Sequence, residues 1–425
     1  MKKVLALVLF AILAMTLSIT AFAADIVASG YCGGEGDGTN LTWTLTKDGV
    51  LTISGTGRMA DYQNNFSGEH IEKPAVPFGY GGGEYETGTA PWDFYSGSVK
   101  KLILSEGVTY IGRYAFWRMD ISGELVLPST MKELALFALC GNNFTGDLVI
   151  PEGVEKIAHN SFQASGDYGT AYIPASLIDF KYHPFRYCDI ENIVVHKDNP
   201  NYCTVDGVLF SKDKTVIYQY PQTRTGTYTI PDSVKIIESG AFEDGMLSKI
   251  IVNGDIKSIG MVAFYSNREN LEIIFKGKVG KIENIVMAYY LDVDVYFLNG
   301  APESAKHRYT GEGMPSFDDI GQGSTYNIYY LSGTEDLWEF DENGLWNGYE
   351  VKPFSFHACG DVDGNGKVNV LDANLVRRCS AKLLELDYAQ ELAADVDGNG
   401  KVNVLDANLI RRYSAKLIDI FPAEE

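Results

Sequence analysis

A β-rich solenoid of short repeats, closed by β caps and followed by a small all-α module, is the fold class this 425-residue sequence predicts. Three observations carry it. An apolar strand, a Pro, an aliphatic pair and a Phe recur at steps of 22 or 23 residues through the middle of the chain. Apolar and polar residues alternate ahead of that array. Near the C-terminus the 23-residue word from Asp361 to Leu383 returns from Asp395 to Leu417, with only Val376/Ile410 and Cys379/Tyr413 changed.

Residues 1–23 read as a secretory signal: Lys2-Lys3, an apolar core from Val4 to Leu17, and Ala21-Phe22-Ala23 as the cleavage site. The apolar core is short for a membrane span, so the mature chain is expected to be exported without membrane insertion. Residues 25–99 form the N-terminal β capping module. Leu41-Thr42-Trp43-Thr44-Leu45 and Val50-Leu51-Thr52-Ile53 alternate around Lys47-Asp48-Gly49, the pattern of a hairpin. Between Tyr62 and Pro91 the chain is Gly-rich. That stretch lacks the Gly-Lys-Ser/Thr ending of a phosphate loop and reads as a surface insertion.

The array spans residues 100–298. Its strand ends fall at Leu104, Leu127, Ile150, Ile173, Val195, Ile230, Val252 and Phe275. Val108/Ile111/Phe116, Val154/Ile157/Phe162, Val234/Ile237/Phe242 and Ile256/Ile259/Phe264 keep the register, while Phe137 comes two residues early and Met287 replaces a Phe. One strand per repeat of this length identifies a leucine-rich-repeat solenoid, in which no repeat buries its apolar side alone. Each ladder residue buried by stacking contributes about 1.5–3 kcal/mol. One long step holds an insertion from Asn199 to Gly226, read as two short strands. The residues one before the strand ends, Ile103, Val126, Val149, Tyr172, Val194, Thr229, Ile251 and Ile274, face the other way as an apolar stripe. It suits either a strand's own preference or a partner. From Gly300 to Gly323 the periodicity fails, and residues 299–354, with Tyr326 to Leu331 and Trp338 to Val351, resemble the closing C-terminal cap of such arrays.

The duplicated word places oxygen-bearing residues at loop positions 1, 3, 5, 9 and 12, with Gly at 6. This is the spacing of a calcium loop, because Ca²⁺ takes six or more oxygens and the chain must turn sharply around it. The expected ligands are Asp361, Asp363, Asn365, Lys367 (carbonyl), Asn369 and Asp372, then Asp395, Asp397, Asn399, Lys401 (carbonyl), Asn403 and Asp406, for two Ca²⁺ ions. Residues 360–425 carry 12 acids and 8 bases, a balance two such ions would neutralise, so folding of the module should depend on metal. Leu371, Leu375, Cys379 and Leu383 are read as one apolar helix face.

A loop plus its exiting helix, used twice, with Asp at position 12 and Arg-Arg on the helix, resembles a type I dockerin over residues 358–422. The resemblance implies binding to a cohesin module on a scaffold protein of a cellulosome-type, polysaccharide-degrading complex. The positions it carries over are Val370, Leu371, Asn374, Arg377, Arg378 and Lys382, and in the second half Val404, Leu405, Asn408, Arg411, Arg412 and Lys416. Asn374, Arg377 and Arg378 share a helix face, and Arg offers paired donors to carboxylates. Identical halves further imply that either helix could dock. Phe356 is expected to pack on Phe421-Pro422 and clasp the module's ends. The stretches "IPEGVEKIAHNSF" and "NPNYCTVDGVLFSKDKTVIY" are similar to the BspA-like leucine-rich repeats of bacterial surface proteins.

A formal net charge of −21 argues against nucleic acid or an anionic membrane as partner. Six cysteines are too sparse for a disulfide scaffold; one or two bridges and free thiols fit equally well. His183, Cys188, His196 and Cys203 are irregularly spaced for a metal site. No His-Glu-x-x-His, Gly-x-Ser-x-Gly or papain-type Cys run occurs, and the histidines are scattered. The sequence therefore points to a secreted, extracellular, non-enzymatic binding protein held at a scaffold. Its array would meet a protein or polysaccharide ligand; the alternative is a polysaccharide-binding or glycoside-hydrolase component of the same complex.

Overall fold

Alternation makes the first sheet. Leu41–Thr46 and Val50–Gly55 pair antiparallel around Gly49, whose φ of +88° is the left-handed turn a hairpin needs. Ile26–Tyr31 adds an antiparallel strand outside them. Val50–Gly55 then pairs parallel with Lys101–Leu104, Ile53 opposite Leu104, so the cap hands a parallel edge to the first repeat. The structure, a computed structural model, describes residues 25–63, 89–180, 184–265, 270–283, 292–305 and 326–424. The signal segment, nearly all of the Gly-rich insertion, His183 and Met287 lie outside the described residues. Two compact units result, one within Met1–Thr225, Ile236–Met246 and Gly260–Arg268, the other within Gly226–Lys235, Leu247–Ile259 and Glu269–Glu425.

In the first unit each repeat gives one strand to each of two parallel sheets. Gly57–Arg58, Val108–Ile111, Glu133–Leu134, Lys156–Ile157 and Asp179–Phe180 make one; Ser122–Glu124, Asn143–Val149, Gly166–Ile173 and Asp189–Val195 make the other. The core lies between them. Leu104, Leu127, Ile150 and Ile173 are buried, as are the aliphatic pairs Val108/Ile111 and Val154/Ile157. Aromatic rungs stack along the axis of the repeats, Trp92 on Phe116 at 5.2 Å and Phe162 beside Phe185 at 5.5 Å. Leu139, not Phe137, fills the rung between them; Phe137 stands at a corner outside, stacked on Tyr114.

That corner recurs. Tyr114, Phe137 and Asn160 have positive φ, as do Arg118, Gly141, Ala164 and Tyr187, each series at 23-residue intervals. The left-handed turn aims the amide at the next coil: Arg118, Gly141 and Ala164 donate to the carbonyls of Cys140, Gln163 and Arg186 at 2.8, 2.8 and 2.7 Å. These bonds offset a conformation costing about 1–2 kcal/mol for a side-chain-bearing residue.

The insertion after Asn199 contains three strands, not the two expected. Tyr202–Val205, Val208–Ser211 and Val216–Gln219 form an antiparallel meander, and the third pairs parallel with Ile236–Ile237. Through that third strand the chain rejoins the parallel ladder. Arg186 pairs with buried Glu243 at 2.7 Å, and Phe242 stacks between Tyr220 and Phe264 at 5.4 and 5.6 Å.

In the second unit, strand Met246–Val252 pairs through Lys249–Val252 with Leu271–Phe275, and Val293–Phe297, Tyr326–Leu331 and Val351–Phe354 continue the parallel sheet. The last two strands fall in the expected cap and extend the array's own ladder. Phe275 stacks on Phe297 at 5.2 Å, and Trp338 and Trp346 close over that end. Helices α1 (Val370–Ser380), α2 (Tyr388–Ala394) and α3 (Val404–Ser414) follow. Among the described residues no helix is long and apolar enough to cross a membrane.

Candidate metal centres and helix faces

Each duplicated word folds as a loop running into a helix. In the first loop the carboxylates of Asp361, Asp363 and Asp372 bring one oxygen each within 4.8 Å of one another; Asp395, Asp397 and Asp406 repeat this in the second. The loop backbone is wound around these groups. Asn365 and Gly366 donate to the two oxygens of Asp361 at 3.1 and 2.8 Å, and Asp363 donates to Asp372 at 3.0 Å. Asn399, Gly400 and Asp397 repeat the three bonds at 3.1, 2.8 and 3.3 Å. Gly366 and Gly400, at φ +81° and +80°, make the turn read from sequence.

Position 12 also starts the helix. Asp372 accepts from Asn369 N–H at 2.8 Å while the Asn369 side chain accepts from Leu371 N–H, a capping box that Asn403 and Asp406 repeat. Asn369 and Asn403 thus spend their carbonyl oxygens on the caps, and their amides donate to the Lys367 and Lys401 carbonyls at 3.1 Å. A position-9 residue in that pose would reach an ion through water, as this loop type often does. The Lys367 and Lys401 carbonyls each take that amide bond, and Asn365 and Asn399 hold the turn through their backbone N–H groups.

Three carboxylates at this separation repel by about 1 kcal/mol per pair in water and about 4 near a protein surface. Asp372 and Asp406 are fully buried, and burial pushes the Asp406 carboxyl up, with the charges of Asp397 and Asp395 adding to it. An all-oxygen donor set of this kind fits a hard divalent cation.

The helices pack on one another through Ala373, Val376, Ala407 and Ile410, with Val362, Val396 and Phe421 completing the core. This corrects the expected apolar face: Leu371 and Leu383 are exposed, and only Leu375 and Cys379 of that set lean on the core. All twelve expected contact residues are exposed: Val370, Leu371, Asn374, Arg377 and Arg378 on α1 with Lys382 just past its end, and Val404, Leu405, Asn408, Arg411 and Arg412 on α3 with Lys416 just past its end. Lys382 and Lys416 have φ +57° and end their helices, their N–H groups bonded to Cys379 and Tyr413 carbonyls at 2.8 Å.

The expected clasp is also different. Phe356 is half-exposed and meets Phe354 and Tyr388, while buried Phe421 stacks on Tyr413 at 4.5 Å and lies against Gly360. Sequence reading missed helix α2, although Asp387 and Gln390 spell its capping box. It also missed His357, whose ring covers Gly364 of the first loop. Elsewhere, all six cysteines are free thiols. Among the described residues the two aspartate triads are the groups that could hold a metal; Cys188, His196 and Cys203 form none.

Residues 359–413 match the model of the dockerin type I domain, and residues 92–216 and 217–295 match that of the BspA type leucine rich repeat region in six copies. Among solved structures, the chain is similar to a leucine-rich repeat protein from Eubacterium ventriosum, at 21% identity over 71% of this chain and 87% of that one, with a TM-score of 0.45. It is also similar to the pneumococcal vaccine antigen PcpA (15% identity, 76% and 100% covered, TM-score 0.37). A leucine rich cell surface protein from Faecalibacterium prausnitzii matches at 17% identity, 74% and 97% covered, with a TM-score of 0.35. No curated protein matches the chain.

Proposed function

We propose that this chain, which carries a BspA-type leucine-rich repeat array and a type I dockerin domain, is a secreted, non-catalytic binding component anchored through calcium-loaded loops to a cohesin on a scaffold protein. One observation carries the reading: two aspartate triads each head a helix, and both helices expose the same Val-Leu, Asn, Arg-Arg and Lys residues. Calcium in each loop would offset two of the triad's three negative charges, held by Asp361, Asp363 and Asp372, or by Asp395, Asp397 and Asp406, with Asn365, Asn399 and the Lys367 and Lys401 carbonyls beside them. The capping boxes tie those same aspartates to the first turns of α1 and α3. Loop order is thereby passed to the helix faces.

The Val-Leu pair at each helix start offers an apolar contact, and the Arg pair offers carboxylate-directed donors. Because the two faces repeat each other, either can engage after a half-turn of the module. The array contributes an interaction surface. Ile103, Val126, Val149, Tyr172 and Val194 of the sequence stripe lie exposed, whereas its members Ile251 and Ile274 are covered.

Capture of the full chain by a panel of cohesins, with and without chelator, tests the anchor. Charge reversal at Arg377 and Arg378 alone should leave capture largely intact. Reversal at Arg377, Arg378, Arg411 and Arg412 together should abolish it. Loss from the first pair alone would exclude equivalent faces, and capture that ignores chelator would exclude the calcium-dependent anchor.

A further inference from the structure

Helix α2 lies between α1 and the second metal loop and carries none of the residues assigned above to metal or cohesin, yet four of its seven residues are buried, Ala393 and Ala394 on the side of the dockerin and two others elsewhere. Tyr388 and Ala389 are each 4% exposed. They lie on the outer face of the array's last strands, in a cluster with Ile274, Tyr296 and Phe354, flanked by Ile251 and Tyr329. The Tyr388 ring stacks on Phe354 at 5.9 Å and tilts against Tyr296 at 5.7 Å. Beside this apolar seat stands a charged latch. Lys249 pairs with Glu272 of the neighbouring strand at 2.7 Å and with Glu391 of α2, its side chain 14% exposed.

The repeat register shows that the seat is specific to this end. Ile251 and Ile274 hold the positions of Val126 and Val149, which are 65% and 54% exposed; Ile274 is fully buried. The corresponding outward positions on the next two strands are Tyr296 and Tyr329, stacked at 4.6 Å. An outward stripe that elsewhere meets solvent is here enlarged to aromatics and covered by a helix.

Helix α2 also touches both metal loops. Ala393 accepts a hydrogen bond at 2.8 Å from Gly360, the residue before Asp361. Asp395, the first ligand position of the second loop, is the C-cap of α2 and donates to Glu391 at 3.1 Å. Whatever holds α2 in place therefore holds the entrance of each loop.

We propose that the outer face of the array's last strands is a built receptor for the dockerin's own middle helix, and that seating this helix is coupled to calcium loading of the two loops. The inference rests on the calcium reading above. The anchor and the array's end then form one body, so the direction in which the array leaves the scaffold is set by Lys249, Glu391 and Tyr388. Both cohesin-facing helices stay free. By linkage, a contact made with the loaded module tightens metal binding, and loss of that contact from the array side loosens it by the same factor.

Calorimetric Ca²⁺ titration of the full chain separates the possibilities. Lys249→Glu lies far in sequence from either loop and sets three carboxylates together, so it should weaken Ca²⁺ binding by roughly tenfold or more. Lys249→Glu combined with Glu391→Lys restores opposite charges across the contact and should recover most of that loss. Glu391→Lys alone, on the surface of α2, should also weaken binding, which keeps the test valid should Lys249→Glu disturb the array's circular dichroism. Variants that bind Ca²⁺ as the parent does would overturn the coupling while leaving the calcium reading intact. A parent chain that takes up no Ca²⁺ would overturn both.

Discussion

Two glycines with the same backbone conformation should respond very differently to a methyl group. Gly360 and Gly366 sit at φ +83° and +81°, so Ala at either bears the left-handed penalty of about 1–2 kcal/mol. At Gly366 an added Cβ meets nothing within 4 Å. At Gly360 it would lie 2.6 Å from the Phe421 ring and 3.0 Å from Val368. Phe421 cannot retreat outward, because it is 1% exposed and stacked on Tyr413 at 4.5 Å. Overpacking there adds about 1–3 kcal/mol, giving a total of about 2–5. The assay is urea unfolding of the full chain in calcium, following the transition that chelator abolishes. Gly360→Ala should lower that midpoint at least twice as far as Gly366→Ala. Equal shifts would refute the placement of Phe421 over Gly360, and with it the closure of the module's ends.

Arg186→Met leaves Glu243, 2% exposed, without its 2.7 Å ion-pair partner, and should cost the first unit about 3–5 kcal/mol in thermal or urea unfolding; a loss below 1 would mean that the pair is solvated. Phe242→Ala removes the ring stacked between Tyr220 and Phe264 and should cost about 3–5 kcal/mol in the same assay, whereas Phe137→Ala, at a half-buried corner, should cost clearly less.

What could be read from sequence follows from range. The array's period is local and repeated, so Leu104, Ile150, Phe116 and Phe162 fall on the inside as their spacing requires. The aspartate triads are equally local, since twelve residues of loop bring Asp361, Asp363 and Asp372 together. The helix face failed for two geometric reasons: the helix ends at Ser380, so Leu383 lies beyond the left-handed Lys382, and steps of four residues drift about 40° each on a helix, so Leu371, Leu375 and Cys379 cannot all share one narrow face. Ala373 and Val376, three apart, make the buried side instead.

Long-range covers left no periodic trace. Ile274 matched the exposed register of Val126 and Val149, yet Tyr388, over a hundred residues away, buries it. Asn142 and Asn199 look like loop residues. Each is buried, its side-chain amide donating to two carbonyls, those of Phe116 and Leu139 and those of Pro174 and Leu177. Such polar plugs satisfy backbone groups at irregular corners and depend on the coil next door. Phe356 and Phe421 flank the module in sequence without meeting in the fold. The nearer aromatic neighbours, Phe354 and Tyr388, meet Phe356 instead.

The account depends on whether the two aspartate triads take up metal. Equilibrium dialysis of the full chain against calcium of known activity measures this directly. Two ions retained per chain, released by chelator together with loss of helical circular dichroism, is the predicted result. Retention of none, with the helices unchanged, would contradict it.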